Sequence, residues 1–167
     1  VVPSPSLPAK SGGAVAMLWI APHPDTTLPG VPYPGYNAMA VTACMGHGDA
    51  RIGAELPAAF DPSKILFVGL RNWERGEIKA RQHQYGIKHL TPEEVAADSD
   101  ALRAWLKSCG ASKVVVHFDM DVLDPAEIVA AVGTDPDGMK IEAVIRVIND
   151  IAAENELVGL TVAEPMP

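Results

Sequence analysis

Two pairs of side chains stand at spacings from which chemistry can be built. Asp119 and Asp121 close the run Lys113–Pro125, KVVVHFDMDVLDP, and His23 and Asp25 close a second apolar run that begins AVAMLWI at Ala14. Side chains along a strand alternate with period two, so the members of each pair project to the same side. Two ionised carboxylates held that close repel each other and lose hydration at a cost, unless a cation or a proton lies between them. A divalent cation meets that need, and one imidazole with three carboxylates is a set that suits manganese, iron or zinc. A plainer reading stays open: two solvated aspartates beginning a loop, Pro125 ending the strand, and His23 as a polar loop residue. His117, two residues before Asp119, faces the same side. It serves either as an orienting partner or replacement ligand, or as a hydrogen-bonded core histidine.

These pairs need a scaffold, and the chain supplies one. Val114, Val115 and Val116 form a β-branched run suited to a strand covered on both faces, and Ala14–Ile20, Lys64–Leu70 and Leu157–Val162 read as three more. Ile87–Leu90 adds a further short one. Between them the pattern predicts helices over Asn37–Met45, stopped by the His47-Gly48-Asp49 turn, and over Glu77–Tyr85, capped by Gly86. Another starts at the capping box Thr91-Pro92-Glu93-Glu94 and runs toward Ser108. The most regular carries Ile141, Val144, Ile145, Ile148 and Ile151 on one apolar face. Strands alternating with helices imply right-handed crossovers and a three-layer α/β/α fold around a parallel sheet of about four strands. In such sheets ligands bind beyond the carboxyl ends of the strands. His23 and Asp25, Arg71 to Glu74, Asp119 and Asp121, and Glu164 all fall there. Val1–Gly13 reads as an irregular lead-in, and residues 14–167 as a single α/β domain. Five prolines and two glycines between Pro22 and Tyr36 make a rigid loop over the first strand end.

Composition narrows the partners. With 167 residues, 48% hydrophobic and 20% charged, the chain can bury a core as one soluble domain. A net charge of −8 argues against nucleic acid and anionic membrane surfaces and suits a cationic partner such as a metal or a guanidinium compound. Cys44 and Cys109 make no disulfide framework, which fits a reduced, cytoplasmic setting. No apolar run approaches the roughly 18 residues of a bilayer span, and no signal peptide is visible at Val1.

Four segments, WIAPHPDTT, GLRNWERGE, HFDMDVLDP and LVGLTVAEPMP, in this order, resemble the ureohydrolase family of arginase, agmatinase and formimidoylglutamase. The resemblance covers nearly the whole chain from about Ala14. It implies an arginase-like core that hydrolyses a guanidinium or amidine C–N bond, of arginine, agmatine or a similar small substrate, with water activated by one or two Mn2+ ions. Carried over position by position, it makes His23, Asp25, Asp119 and Asp121 metal ligands and puts Asp121 and Asn37 at catalytic positions. Glu164 faces the guanidinium group, and Asn72 and Glu74 lie in the loop that binds the other end of the substrate.

The departures from the family are specific. Ala21 stands where the family has an aspartate bridging both metals, and Asn37 where it has a histidine for proton transfer, a task an amide cannot perform at neutral pH. The family's first ligand histidine has no counterpart, and the chain is about half the family's usual length. One metal position keeps His23, Asp119 and Asp121. The other keeps Asp25 and a shared Asp119, so at most one firmly held ion is expected. A catalytically inactive truncated or engineered domain of the same fold is the alternative. A third reading is a haloacid-dehalogenase-like phosphatase, suggested by DMD; there the motif sits on the first strand and precedes Gly-Thr, whereas Val122-Leu123 follow here. A sheet lacking flanking strands would expose an edge, which predicts a homo-oligomer.

Overall fold

Residues 15–32 and 35–165 are described by a computed structural model; the lead-in expected over Val1–Gly13 lies outside the described residues. Five strands pair in parallel: β1 (Val15–Ile20), β2 (Ile65–Val68), β3 (Lys88–Leu90), β4 (Lys113–Asp119) and β5 (Glu156–Ala163). Their order is β3-β2-β1-β4-β5. The chain therefore builds outward from β1 on one side, returns, and builds outward again from β4. Where the order reverses, between β1 and β4, the outgoing connections diverge and leave a crevice at the carboxyl edge. Ile20 pairs with Val68 on one side and Phe118 on the other, so these three strands end at one level. β1 is buried along its whole length, which is why VAMLWI shows no polar alternation.

Each face is covered. Leu18, Ile20, Val68, Val114 and Val116 pack on one face against Leu102, Trp105 and Leu106 of one helix (Asp100–Cys109) and Val144, Val147 and Ile151 of another (Ile141–Glu154). On the other face Met17, Trp19, Phe67 and Val115 meet Val41, Cys44, Met45 and Phe60. Burial of each of these large side chains stabilises the fold by roughly 1.5–3 kcal/mol before conformational entropy is counted.

In chain order the α-helices are α1 (Ala40–Cys44), α2 (Ala50–Gly53), α3 (Gly76–Tyr85), α4 (Asp100–Cys109) and α5 (Ile141–Glu154). α3 ends as expected, with Gly86 left-handed at φ 69°. Elsewhere tertiary contacts redraw the expected elements. The helix over Asn37–Met45 begins as a 3-10 turn, Asn37–Met39, before α1, and the short α2 lies outside the helices expected, capped by the Asp49 carboxylate, which accepts the Arg51 N–H. The capping box at Thr91 forms, with Thr91 N–H donating to Glu94 Oε2 at 2.8 Å, but it closes only a 3-10 turn, Glu93–Val95. Continuation is blocked because Arg146 of α5 donates to the carbonyls of Val95, Ala96 and Asp98, and the Asp98 carboxylate takes the Asp100 N–H. A fresh helix, α4, starts there.

The apolar face of α5 is also rotated from the expected one. Ala143, Val144, Val147 and Ile151 are buried, whereas Ile141 and Ile145 are 39% and 55% exposed. Small Ala143 packs in the core cluster with the sheet residues, and Ile148 is packed against it. β5, at one edge, leaves Leu160 and Val162 49% and 47% exposed, on the face they share with their register partners Val116 and Phe118.

Candidate metal and substrate site

The loops that leave β1 and β4 emerge side by side at the reversal point. Pro22 O accepts the Arg71 and Asn72 N–H groups at 3.2 and 3.0 Å, which ties the β1 loop to the β2 loop. Asp25 O accepts from Val41 N–H, and Thr42 Oγ1 donates to Thr27 O at 2.6 Å, so α1 braces the segment from below. Asp25, Glu74 and Glu164 hold φ of 45°, 58° and 56°. Side chains other than glycine occupy that region at a cost of about 1 kcal/mol or more each, and such strain concentrates at functional sites.

Asp119 ends β4, and Asp121 lies not in the strand, as its spacing suggests, but in the 3-10 turn that follows, Met120–Val122; 9% and 7% of their surface is exposed. Together with the exposed Glu164 each presents one carboxylate oxygen, all within 4.8 Å of one another. Asp119 Oδ1 and Asp121 Oδ1 are buried with no hydrogen-bond partner among the described residues. Buried carboxylate oxygens without donors carry a desolvation cost that a cation would relieve. Burial first, then the charges of Asp121 and Glu164, push the Asp119 carboxyl up to about 7. Asp25 is also raised well above the carboxylate range, by burial opposed by His23 and reinforced by Asp119, Asp121 and Glu74. Of the four residues expected as ligands, Asp119 and Asp121 are grouped with Glu164 closely enough to share a cation among the described residues; His23 borders them at 3.3 Å from Asp121, and Asp25 is near enough to feel their charge but lies outside that group.

His23 sits between two acids. Its Nδ1 lies 3.3 Å from Asp121 Oδ2 and its Nε2 3.1 Å from Asp135 Oδ2. Burial alone would lower its pKa, but the hydrogen bond and charge of Asp121, with Asp25 and Asp135, lift it to about 9. As an imidazolium it supplies part of the positive charge that the acids require.

Asn72 and Glu74 lie on the β2 loop. The Asn72 amide is engaged at both ends: Nδ2 donates to Asp135 Oδ1 at 2.9 Å and Oδ1 accepts the Glu74 N–H at 2.8 Å. Glu74 and Trp73 line a narrow cleft with His23, Asp25 and Ala38. Asn37 opens the neighbouring 3-10 turn with its side chain exposed. Ala21 is 1% exposed and packs in the core cluster that contains Trp19, so no donor atom stands at that position. His117 is a core residue: 3% exposed, stacked on Trp19 at 3.7 Å between centroids, with Nδ1 2.8 Å from Thr161 Oγ1. Burial holds it down to about 4, and its Nε2 stays 4.0 Å from Asp119 Oδ2, too far for a hydrogen bond.

Two residues of this site were not singled out from sequence for the roles they play. Asp135 reaches His23 from the long loop after β4. Arg71 lies at the centre of that loop, its half-buried guanidinium donating to the carbonyls of Asp121 (3.1 Å), Val122 (3.2 Å), Asp135 (2.8 Å) and Pro136 (3.0 Å). The available signal was an acid inside the turn Gly-Thr-Asp-Pro, downstream of the aspartate pair; nothing local pairs it with a histidine on the far side of the sequence. Roomier hollows lie along β3, lined by Lys88, His89, Trp105 and Ser108, but among the described residues the grouped carboxylates that could hold a cation are at the β4/β5 edge.

Residues 4–167 match the model of the Arginase family. An arginase of Entamoeba histolytica is 26% identical over 163 residues, an alignment covering 95% of this chain and 54% of that protein. The N(omega)-hydroxy-L-arginine amidinohydrolase of Streptomyces lavendulae is 31% identical over 157 residues, 93% of this chain and 53% of the relative. Among solved structures, Entamoeba histolytica arginase in complex with L-ornithine superposes with a TM-score of 0.81 at 22% identity, covering 90% of this chain and 53% of that one. The chain thus spans about half the length of the curated relatives it matches.

Proposed function

Because the chain belongs to the arginase family, we propose that its β1/β4 crevice is a metal-dependent site for hydrolysing the C–N bond of a small guanidinium or amidine compound such as arginine or agmatine. The observation that carries this reading is the pair of buried, partnerless oxygens on Asp119 and Asp121, facing Glu164. Asp119, Asp121, His23 and Asp25 are the residues that would hold Mn2+. When bound, such an ion supplies Lewis acidity and a water acidic enough to serve as nucleophile near neutral pH.

The chain's own residues do the rest. Glu164 places an exposed carboxylate at the rim, where it attracts and orients a planar guanidinium through charge-assisted hydrogen bonds. Asp121, already bonded to His23, is placed to accept a proton from the attacking water. Asn72 and Asp135 brace His23, and Trp73 and Glu74 wall the cleft on the side where the rest of the substrate would lie. The net charge of −8 favours approach of a cationic substrate. The exposed Leu160 and Val162 on β5 support self-association, and a monomeric mass by light scattering at micromolar concentration would contradict it.

A second reading, a domain of this fold without turnover, is favoured by Ala21, which is buried and donor-free, and by Asn37, an exposed amide. The separating experiment is elemental analysis after manganese loading of the parent and of the double variant Asp119→Ala with Asp121→Ala, followed by assay of urea release from arginine and agmatine. One or more equivalents of metal in the parent, absent from the double variant, together with urea release, supports the hydrolase. Metal without urea supports the silent domain, and no metal in the parent refutes the metal site.

A further inference from the structure

The carboxylate of Asp135 is held more firmly than a loop residue requires. Its Oδ1 accepts from Asn72 Nδ2 at 2.9 Å, its own carbonyl accepts from Arg71 Nη2 at 2.8 Å, and the next carbonyl, Pro136 O, accepts from Arg71 Nε at 3.0 Å. Arg71 and Asn72 are adjacent on the β2 loop, which is itself bonded to Pro22 O immediately before His23. One loop therefore fixes both the histidine's backbone and the acid beside its ring. The free oxygen, Oδ2, lies 3.1 Å from His23 Nε2, while Nδ1 turns toward Asp121.

We infer that Asp135 is the positioning residue of His23: it accepts the Nε2–H, locks the ring's rotation and tautomer, and thereby presents Nδ1 as the metal-binding atom. A histidine ligand has two nitrogens, and the partner of the one that does not bind decides which lone pair is offered. With Nε2–H committed to Asp135, the lone pair that opens when Nδ1 loses its proton points at Asp121 and the carboxylate group behind it. Without Asp135 either nitrogen can carry the proton, and the ring is free to turn out of the cleft. Asn72 acts through Asp135, by holding its Oδ1 at 2.9 Å while Oδ2 faces His23 Nε2.

This inference rests on the metal reading of the site, so its test separates the two. Zinc, which is diamagnetic, is titrated into the full chain against a competing chelator, and the His23 ring nitrogens are followed by nitrogen-15 correlation spectra. The parent is expected to show zinc on Nδ1 and a protected Nε2–H. Asp135→Ala is expected to bind zinc roughly 10- to 100-fold more weakly and to lose the Nε2–H signal. Asp135→Asn, whose amide oxygen can still accept, falls between the two and serves if the alanine variant does not fold. Asp137→Asn, which removes a charge from the same loop, should bind like the parent. Unchanged affinity and an unchanged His23 tautomer in Asp135→Ala and Asp135→Asn would overturn the inference alone, as would an equal loss in Asp137→Asn. A parent that takes up no zinc would overturn the metal reading and the inference with it.

Discussion

Asp119→Asn is expected to make the metal-free protein more stable at alkaline pH, although it removes a residue of the site. The carboxyl rises from 3.8 to about 7 in the folded state, first because it is buried and then because Asp121 and Glu164 repel it. Between those two values the folded state holds a proton that the unfolded chain has released. The contribution that protonation makes to stability is therefore complete below about pH 4 and is lost as pH rises toward 7. At pH 8 the ionised carboxylate costs the fold on the order of 4 kcal/mol, at about 1.36 kcal/mol per pH unit of displacement. Asparagine removes that charge at nearly the same volume but leaves a buried amide to satisfy, at about 1–3 kcal/mol. The net gain is about 1–3 kcal/mol, or roughly 3–8 °C in Tm for a chain of this size. The assay is thermal unfolding by circular dichroism with a chelator, at pH 8 and pH 5. The gain should fall to less than half at pH 5, and Mn2+ should raise the Tm of the parent well above that of the variant. An unstabilised Asp119→Asn at pH 8, or an equal gain at both pH values, would refute the claim that buried charge at this position opposes folding.

Three further outcomes follow from particular contacts. Gly69 has φ +81° and a Cβ there would meet Val122 Cγ2 at 2.5 Å and Met139 Sδ at 2.9 Å, so Gly69→Ala should lose about 2–4 kcal/mol in a urea melt; a loss under 0.5 kcal/mol contradicts that packing. Arg71→Ala frees the carbonyls of residues 121–136 and should raise protease cleavage in that loop several-fold while weakening metal binding, with cleavage at the parent's rate as the contrary result. Ala21→Asp buries a new carboxylate at a 1% exposed position. Without metal it should cost about 1–3 kcal/mol, and with Mn2+ the elemental analysis should show more metal per chain than in the parent; unchanged stoichiometry would count against the position taking a metal at all.

The amino-acid sequence by itself determined the parallel α/β class, the placement of acids beyond strand ends, and the family. VAMLWI and VVV are apolar without alternation because their strands are buried on both faces, and that burial is what makes them legible. Asp119 with Asp121 and His23 with Asp25 were readable as acids and an imidazole grouped at the ends of apolar strands, but their strands stop short. Asp121 lies in the 3-10 turn Met120–Val122, and His23 and Asp25 lie in the loop after Ile20, so the loops rather than strand alternation orient them. The tertiary structure decided what depends on distant partners. Arg146 stopped the helix at Val95 although its capping box was locally sound, and Ala143 rather than Ile145 turned toward the sheet. His117 became a neutral core residue through Trp19 and Thr161, contacts no spacing encodes. Asp135 joined His23 because the β2 loop holds both through Arg71, Asn72 and Pro22. Local periodicity fixes which way a side chain points along its own strand; which charges it meets is set by loops that the sheet order brings together.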